Sequence, residues 1–262
     1  MSATLLHDFD RFVVEYLFKF ILISEMPISI GGGNNLFGVD KPIVRLNNKP
    51  YIPGSTLKGV LRSHAERFVR SIYGDSEENV CNILSKTELE RKKSKDSQGD
   101  NNYQPCIICE IFGGPTIASR IKIHNAEVVD NGRMLTSTIR RVSIDRITNA
   151  QARGRLFDIE YLLPKIEMKW TLSIENIELL TDIDKLDERS KKIINVIEYL
   201  IKSILTQGIE VGGKRSIGYG LLKVKEESDK KYFEMIEYKV NKDKNGIDKK
   251  DITNQYKERL GI

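Results

Sequence analysis

The amino-acid sequence predicts an α+β fold, because apolar patterns of two different periods follow one another along it. Residues 12–30 ("FVVEYLFKFILISEMPISI") are rich in β-branched and aromatic side chains with partial alternation, which is typical of a long strand. From Leu57 to Ile72 the apolar residues recur at helical spacing. A second stripe of this kind runs from Lys185 to Leu205 and stops at Gly208. These patterns predict two amphipathic helices and at least one long strand.

Shorter strand-like segments lie between and after the two predicted helices. They are residues 120–129, 135–144, 157–174 and the stretch "YGLLKVKEE". Without insertions, the order is strand, helix, strand, strand, helix, strand. This is the split βαβ order of the ferredoxin-like fold, an antiparallel sheet backed by two helices. Ser55 or Thr56 is expected to cap the first helix.

The composition is that of a globular chain with a heavily solvated surface. The 262 residues are 40% hydrophobic and 30% charged, with a formal net charge of +5, so disorder throughout is excluded. The small positive excess favours nucleic-acid binding only if the cations converge on one face. The sequence has no leader pattern and no membrane-spanning apolar run. We therefore expect a cytoplasmic protein without membrane contact.

Two charge-dense segments interrupt the predicted pattern. Residues 75–104 are too long and too polar for an ordinary connection, and they separate Cys81 from Cys106, so we interpret them as an insertion. From Glu226 onward, Lys, Glu and Asp alternate with scattered aromatic residues. This pattern fits a surface extension or a partner-binding arm.

Two glycine-associated basic segments are candidate anion sites. In "PGSTLKGVLRS", Lys58 and Arg62 lie one turn apart beside the free N–H groups of a helix start. The alternative is a capped helix with a solvated basic edge. In "GGKRSIGYG", glycines flank Lys214 and Arg215 and allow the backbone to approach a ligand closely. The alternative there is a tight turn or bulge, and the spacing is not that of a nucleotide-binding P-loop.

A third basic segment, "TIRRVSIDRITNAQARGRLFDIEYLLP", lies between predicted strands. Its five arginines are Arg140, Arg141, Arg146, Arg153 and Arg155. Arginines in a projecting hairpin can grip a sugar-phosphate backbone. The alternative is a solvated, salt-bridged loop, because Asp145, Asp158 and Glu160 are close in sequence.

These segments occur in an order that resembles the RAMP proteins of type III CRISPR effector complexes, specifically the backbone subunit that polymerises along the guide RNA. The glycines at 31–33 and the stretches "FGVDKPIV" and "SIDRITNAQARGR" complete the pattern. The helix motif and the terminal glycine-rich motif recur across the superfamily, whereas "VDKP" and "IDRIT" point to the backbone subunit. The resemblance implies a ferredoxin-like, RNA-recognition-motif-like core with an inserted lid and a protruding thumb hairpin.

The resemblance also implies a domain layout and a set of partners. The whole chain, residues 1–262, would be one RAMP domain. Its parts would be a core at about 10–74, 110–134 and 156–226, a lid at about 75–109, a thumb at about 135–155 and a charged extension at 227–262. The implied partners are guide crRNA, target RNA, other CRISPR effector subunits, and further copies or paralogues of the chain.

Site roles follow from the same resemblance. The implied RNA contacts are Ser55, Lys58, Arg62, Arg146, Arg153, Lys214 and Arg215. The family's backbone subunits cut target RNA with an aspartate in the loop after the glycines, and Asp40 stands in that position. Such a carboxylate could position a divalent ion such as Mg²⁺ or orient the ribose 2′-OH for attack on the adjacent phosphate.

Other readings of Asp40 and of the function remain open from sequence. Aspartate before Lys-Pro is also a common turn residue that bonds its own backbone. The chain could be a scaffold subunit that binds guide RNA without cutting, or a guide-processing endonuclease, although no histidine is obviously placed for acid-base chemistry. A metal-binding scaffold that contacts no RNA is a further alternative.

The three cysteines form a candidate metal site. Cys106 and Cys109 in "CIIC" have the spacing that lets two sulfurs reach one tetrahedral ion, and Cys81 lies across the insertion. The resemblance places the first helix, which carries His64, against this insertion. We therefore assign His64, Cys81, Cys106 and Cys109 to a structural zinc site. The alternative is a core histidine and three free thiols.

Overall fold

The computed structural model describes residues 6–7, 9–32, 39–82, 105–114, 117–129, 132–228, 230–241, 243 and 245–262. Its strands are β1 (Val14–Ser24), β2 (Arg45–Leu46), β3 (Lys49–Ile52), β4 (Ile121–Ile123), β5 (Ala126–Val128), β6 (Thr136–Ile144), β7 (Gln151–Leu162), β8 (Glu167–Glu175), β9 (Ile209–Glu210), β10 (Leu221–Val224), β11 (Glu226–Glu227), β12 (Lys230–Lys231), β13 (Phe233–Asn241) and β14 (Gly246–Asp251). Its α-helices are α1 (Gly54–Tyr73), α2 (Ile107–Phe112), α3 (Glu188–Thr206) and α4 (Thr253–Leu260).

Ten of the strands form one antiparallel sheet. Its main path runs β14–β13–β1–β8–β5–β3–β2, while β10 pairs with β1, β9 with β10, and β4 with β8. The central strand is β1, whose residues 14–20 pair with 233–239 of β13 on one side and whose residues 15–23 pair with β8 on the other. Alternate side chains of β1 are buried, as expected for a strand with one face on the core.

The core lies between this sheet and the helices α1 and α3, which contact each other. Phe20 of β1 stacks on Trp170 of β8 at 5.0 Å between ring centroids and packs on Phe233 of β13 at 5.2 Å. Each such fully buried side chain contributes about 1.5–3 kcal/mol of hydrophobic stabilisation. The predicted combination of an antiparallel sheet with two long amphipathic helices is confirmed.

The start of α1 differs from the prediction that Ser55 or Thr56 caps it. The N-cap is Pro53, and no side chain of the cap residue bonds the helix. The amide of Gly54 instead donates to Asn125 Oδ1 at 2.9 Å. A Cβ at position 54 would lie 2.3 Å from the carbonyl oxygen of Ile123, so only glycine allows the helix to start against the β4–β5 connection.

The segment after β10 also differs from the expected surface extension or arm. Within residues 227–262, β13 joins the main sheet beside β1, β14 pairs with β13, and α4 contacts β13. Phe233, Met235 and Tyr256 are fully or almost fully buried. Lysines and glutamates occupy the exposed positions of β13, so its short apolar alternation was not recognised as that of a core strand.

The strands β6 and β7 form a separate two-stranded hairpin. It spans residues 136–162 and is therefore longer than the thumb expected at 135–155. Its base meets the core through Leu162, which exchanges backbone hydrogen bonds with Ile28. At its far end, Ile147 is 93% exposed.

The expected lid at 75–109 lies mostly outside the described residues, which resume at 105. None of the helices formed by the described part of the chain is long and apolar enough to cross a membrane.

Candidate nucleic-acid interface and cysteine cluster

The segment that carries Asp40 is pinned at both ends. At its base, the amide of Gly32 donates to Pro42 O at 2.9 Å and the amide of Val44 donates to Ile30 O at 3.0 Å. Within the segment, the backbone of Lys41 pairs with β7. Its amide donates to Asp158 O at 3.1 Å, and its carbonyl accepts from the Glu160 amide at 3.0 Å. Residues 33–38, which include Gly33, lie outside the described residues.

A buried ion pair holds the same segment to the hairpin. Glu160, 8% exposed, accepts a hydrogen bond from the Ile43 amide at 3.1 Å and one from Arg45 Nη1 at 2.8 Å, and Arg45 Nη2 donates to its other oxygen. The hydrogen bonds from Arg45 hold the pKa of Glu160 below its usual range, against the opposing effect of burial. This pair fixes the position of the Asp40 segment relative to β7.

Asp40 is exposed, and its carboxylate is oriented by the hairpin. Its Oδ2 accepts a hydrogen bond from the Asp158 amide at 2.8 Å. The Asp158 carboxylate forms a bidentate ion pair with Arg140, in which Nε and Nη2 donate to its two oxygens at 2.9 and 3.1 Å. That pair lowers the pKa of Asp158, and Asp40 is close enough to Arg140 to contribute to the raised pKa of the guanidinium. Two carboxylates and one guanidinium therefore share this exposed edge.

Three cations converge where the Asp40 segment, the hairpin and the glycine-rich loop meet, and we name Lys41, Arg141 and Lys214 the basic cluster. The pKa of Lys214 is lowered, first by burial and then by the charges of Lys41 and Arg141. Arg141 Nη2 donates to the hydroxyl of Tyr219 at 2.8 Å, while its buried Nε has no hydrogen-bond partner among the described residues. Such a cluster is unfavourable alone and is stabilised by a bound anion.

The glycine-rich loop at 212–220 presents Lys214 to this cluster. Lys214 adopts a left-handed backbone conformation with φ of 62°. The loop packs on the chain that follows β1, since the Gly213 amide donates to Ser29 O at 3.0 Å and the Gly220 amide donates to Pro27 O at 2.8 Å. The loop thus brings Lys214 to the same edge as the Asp40 segment.

The cations of α1 do not join the basic cluster. Lys58 Nζ donates to Ser119 Oγ at 2.9 Å, and burial lowers its pKa. Arg62 hydrogen-bonds Glu66, the carbonyl of Gly113 and the sulfur of Cys109. Ser55 is exposed in the first turn. The two basic side chains therefore face the β4 and α2 side of the helix.

His64 and Arg215 lie near each other, on a different flank of α1. The half-buried His64 has a lowered pKa because of burial, followed by the charge of Arg67, with Arg215 adding to the effect and Glu210 opposing it. Arg215 itself is exposed. His64 is thus neither a member of the cysteine group nor a fully buried core residue.

The two remaining predicted RNA contacts lie in the hairpin. Arg146 is exposed in the turn, where the Asp145 carboxylate accepts from the amides of Ile147 and Thr148 at 2.8 and 2.9 Å. Arg153 belongs to β7, and its side chain lies outside the described part of the structure. The turn therefore places at least Arg146 far from the basic cluster along the hairpin.

The structure brings Cys81, Cys106 and Cys109 together, with all three sulfurs within 4.8 Å of one another. All are buried, and the sulfurs of Cys81 and Cys109 are 3.3 Å apart. Cys106 begins α2, its sulfur accepting from the Cys109 amide at 3.3 Å. Hydrogen bonds from Cys109 and Cys81 lower the pKa of Cys106. Three sulfurs at this spacing could bind a soft divalent metal ion.

The short helix α2 is also anchored by charged groups. Buried Glu110 forms ion pairs with Arg120, the residue before β4, at 2.9 Å and with Arg189 of α3 at 3.5 Å. Arg120 also donates to the carbonyl oxygens of His7 and Asn176, at 2.7 and 3.2 Å. The end of the insertion is therefore fixed to the core by an ion-pair network in addition to the cysteines.

Sequence reasoning did not select Lys41, Arg141 or Asp158 as members of this site. Each had a signal: Lys41 follows Asp40 directly, and Arg141 and Asp158 belong to the arginine-rich segment. What the sequence lacked was the register of β6 with β7, which sets Arg140 opposite Asp158. Without that register, the side chains that face the Asp40 segment cannot be chosen.

The fold and this site together define an α+β domain with an anion-binding edge of the kind that holds a nucleic-acid backbone. A family model of the RAMP superfamily matches residues 25–223, which include every residue of the site. The chain belongs to the RAMP superfamily. Members of that superfamily are CRISPR-associated proteins that bind crRNA and other CRISPR subunits, and they include nucleases. No curated protein matches the chain.

Proposed function

We propose that this chain is the backbone subunit of a type III CRISPR effector complex, which binds guide crRNA and cleaves complementary target RNA through Asp40. One observation carries the proposal: the exposed Asp40 carboxylate is held against the β6–β7 hairpin, in the same segment as Lys41 of the basic cluster. Cations that converge on one edge are what a phosphate backbone requires. A carboxylate of fixed orientation in the same segment as Lys41 could act on the same backbone.

The reaction that fits one carboxylate is attack by a ribose 2′-OH on the adjacent phosphate. The hydroxyl gives up its proton as the new P–O bond forms, the bond to the 5′ oxygen breaks and that oxygen takes a proton from water, so that a cyclic phosphate and a 5′-hydroxyl remain. Asp40 would orient or deprotonate the hydroxyl, while the basic cluster would bind the phosphate oxygens. A single carboxylate also suits Mg²⁺, which keeps most of its waters and would supply positive charge to the phosphate.

We assign the three cysteines to a structural zinc ion. Their enclosure in the core and the sulfur spacing support this assignment, because structural zinc sites are closed and sulfur-rich. The fourth ligand is not His64, whose neighbours are Arg67, Glu210 and Arg215. The ion would hold Cys81 and α2 together across the inserted residues.

A scaffold subunit that binds guide RNA without cutting is the second candidate. The same contact supports it, because a carboxylate that accepts from the Asp158 amide also stabilises a docked loop. The two candidates differ only in whether Asp40 touches the reacting RNA.

The test uses a complex reconstituted with guide RNA and neighbouring subunits, acting on a labelled complementary RNA. Asp40→Asn preserves the shape of the side chain and an acceptor for the Asp158 amide but removes the charge. We expect cleavage to slow at least about 100-fold while RNA binding is unchanged, and chelation of divalent ions to stop cleavage by the native complex. Asp248→Asn on β14 is the matched control and should cleave normally.

Lys214→Gln tests the binding half of the proposal. We expect weaker guide binding and a salt dependence reduced by about one phosphate contact. If Asp40→Asn cuts like the native complex, Asp40 is a turn residue and the nuclease lies elsewhere. If the native complex binds target RNA but does not cut it, the chain is a scaffold.

A further inference from the structure

All three nitrogens of the Arg62 guanidinium are engaged at the junction of α1 and α2. Nη1 donates to the carbonyl of Gly113 at 2.9 Å, Nη2 donates to the sulfur of Cys109 at 3.6 Å, and Nε donates to Glu66 Oε1 at 3.0 Å. The side chain is mostly shielded from solvent, with 19% exposure. Three of the five N–H donors of the guanidinium are thus used inside the protein, which leaves one on each Nη, and the side chain is held against α2 rather than extended into solvent.

A divalent ion bound by the three cysteines would account for a cation beside Cys109. Three thiolates around one divalent ion carry a net charge of −1, and a buried charge needs a partner. Gly113 terminates α2, so its carbonyl lies at the negative end of the helix. Hydrogen bonds to metal-bound sulfur are a common way for neighbouring residues to tune a metal site.

The sulfur of Cys109 is also tightly packed. A Cβ added at Gly114 would lie 3.1 Å from that sulfur, so the backbone after α2 lies directly against the cluster. An arginine guanidinium stays protonated in proteins, so Arg62 is a cation beside the cluster.

We propose that Arg62 is a positioning residue of the cysteine cluster and not a contact of guide RNA. It balances the charge of a soft divalent ion held by Cys81, Cys106 and Cys109, and it ties α2 to α1. The inference rests on the metal binding proposed above. It reassigns one of the two cations in the "STLKGVLRS" motif from the RNA to the metal centre.

The experiment titrates Co²⁺ into the reduced, metal-free full-length chain and follows thiolate-to-cobalt absorption; Zn²⁺ is then measured by competition. Arg62→Gln keeps the size and polarity of the side chain but removes the charge. We expect its dissociation constant for Co²⁺ to rise about 10- to 100-fold. Arg62→Lys, which keeps the charge and loses the planar fork, should fall between Arg62→Gln and the native chain.

Arg67→Gln is the matched control, because Arg67 is an exposed arginine on the same helix, near His64 and away from the cysteines. It should bind Co²⁺ like the native chain. A second measurement uses the reconstituted complex with metal-saturated protein. There, Arg62→Gln should show the native salt dependence of guide RNA binding, since no phosphate contact is lost.

Two results overturn the inference, and they are distinguishable. If the native chain gives the thiolate-to-cobalt absorption and Arg62→Gln binds with equal affinity, Arg62 does not support the metal, although the metal site stands. If the native chain gives no such absorption, the metal site itself fails and the inference with it. If Arg62→Gln does not fold, Arg62→Lys decides: weaker Co²⁺ binding supports the inference and native binding refutes it.

Discussion

Backbone geometry limits which residues the glycine-rich loop at 212–220 can accept. Gly218 and Gly220 both have positive φ, at +85° and +95°. A Cβ at 218 would meet nothing within 4 Å, whereas at 220 it would lie 2.2 Å from the carbonyl oxygen of Val211. The Val211 amide donates to the Gly220 carbonyl at 2.9 Å, so the two backbone segments are held together and the Val211 oxygen cannot move away easily.

These two glycines give a matched prediction. Gly218→Ala should lower the free energy of unfolding by about 1–2 kcal/mol, the cost of a left-handed alanine. Gly220→Ala should cost at least about 2 kcal/mol more, because a backbone clash adds to that strain. Urea denaturation of both variants measures the difference. Equal losses would show that the loop moves away from Val211 without cost.

At the scale of elements, the Glu160–Arg45 pair should make docking of the Asp40 segment sensitive to acid. The pKa of Glu160 in the folded chain lies below its ordinary value of 4.5. A depressed folded pKa means that the stabilisation is complete above 4.5 and is lost as the pH falls through the folded value. The fold should therefore lose part of its stability only in the acid range.

Glu160→Gln tests this pair. At pH 7 it should lower the free energy of unfolding by about 2 kcal/mol, less than the roughly 3–5 kcal/mol of a fully buried pair because Arg45 is partly exposed. The difference from the native chain should shrink as the pH falls below 4.5. Thermal unfolding across pH 3–7 measures it, with Glu226→Gln in β11 as an exposed control. A constant difference at every pH would contradict the assignment.

The elements show what the sequence could predict and what it could not. The helices α1 and α3 were predictable, because their apolar stripes repeat over five turns or so. The proximity of the two cysteines of "CIIC" was also predictable from their spacing, whereas Cys81 was assigned to them because it lies at the other side of the insertion. The orientation of Lys58, Arg62 and His64 was not, because it depends on which flank of α1 faces α2 and which faces the glycine-rich loop. Only tertiary packing decides that.

At the scale of the whole molecule, residues 227–262 complete the core rather than extend from it. Tyr256 of α4 is fully buried, and its ring meets Phe18 of β1 edge-on at 5.8 Å. Arg259 pairs with Glu198 of α3 at 2.5 Å, and Lys202 donates to the carbonyl of Leu260 at 2.9 Å. The charge alternation of this segment masked these contacts, since α4 has only two buried residues to reveal an apolar face.

Substitution of Tyr256 measures how far the domain depends on this segment. Tyr256→Ala should lower the free energy of unfolding by about 3–5 kcal/mol, because it opens a cavity between β1 and α4. Tyr256→Phe is the control: the buried hydroxyl has no hydrogen-bond partner among the described residues, so its removal should change stability by less than about 1 kcal/mol and could increase it. If Tyr256→Ala unfolds like the native chain in urea, α4 is dispensable and residues 227–262 behave as the arm that their charge pattern suggested. If the predicted loss is found, the domain extends beyond the superfamily match at 25–223 on the C-terminal side as well, because a chain shortened to that match would lack both the central strand β1 and the strand β13 that pairs with it.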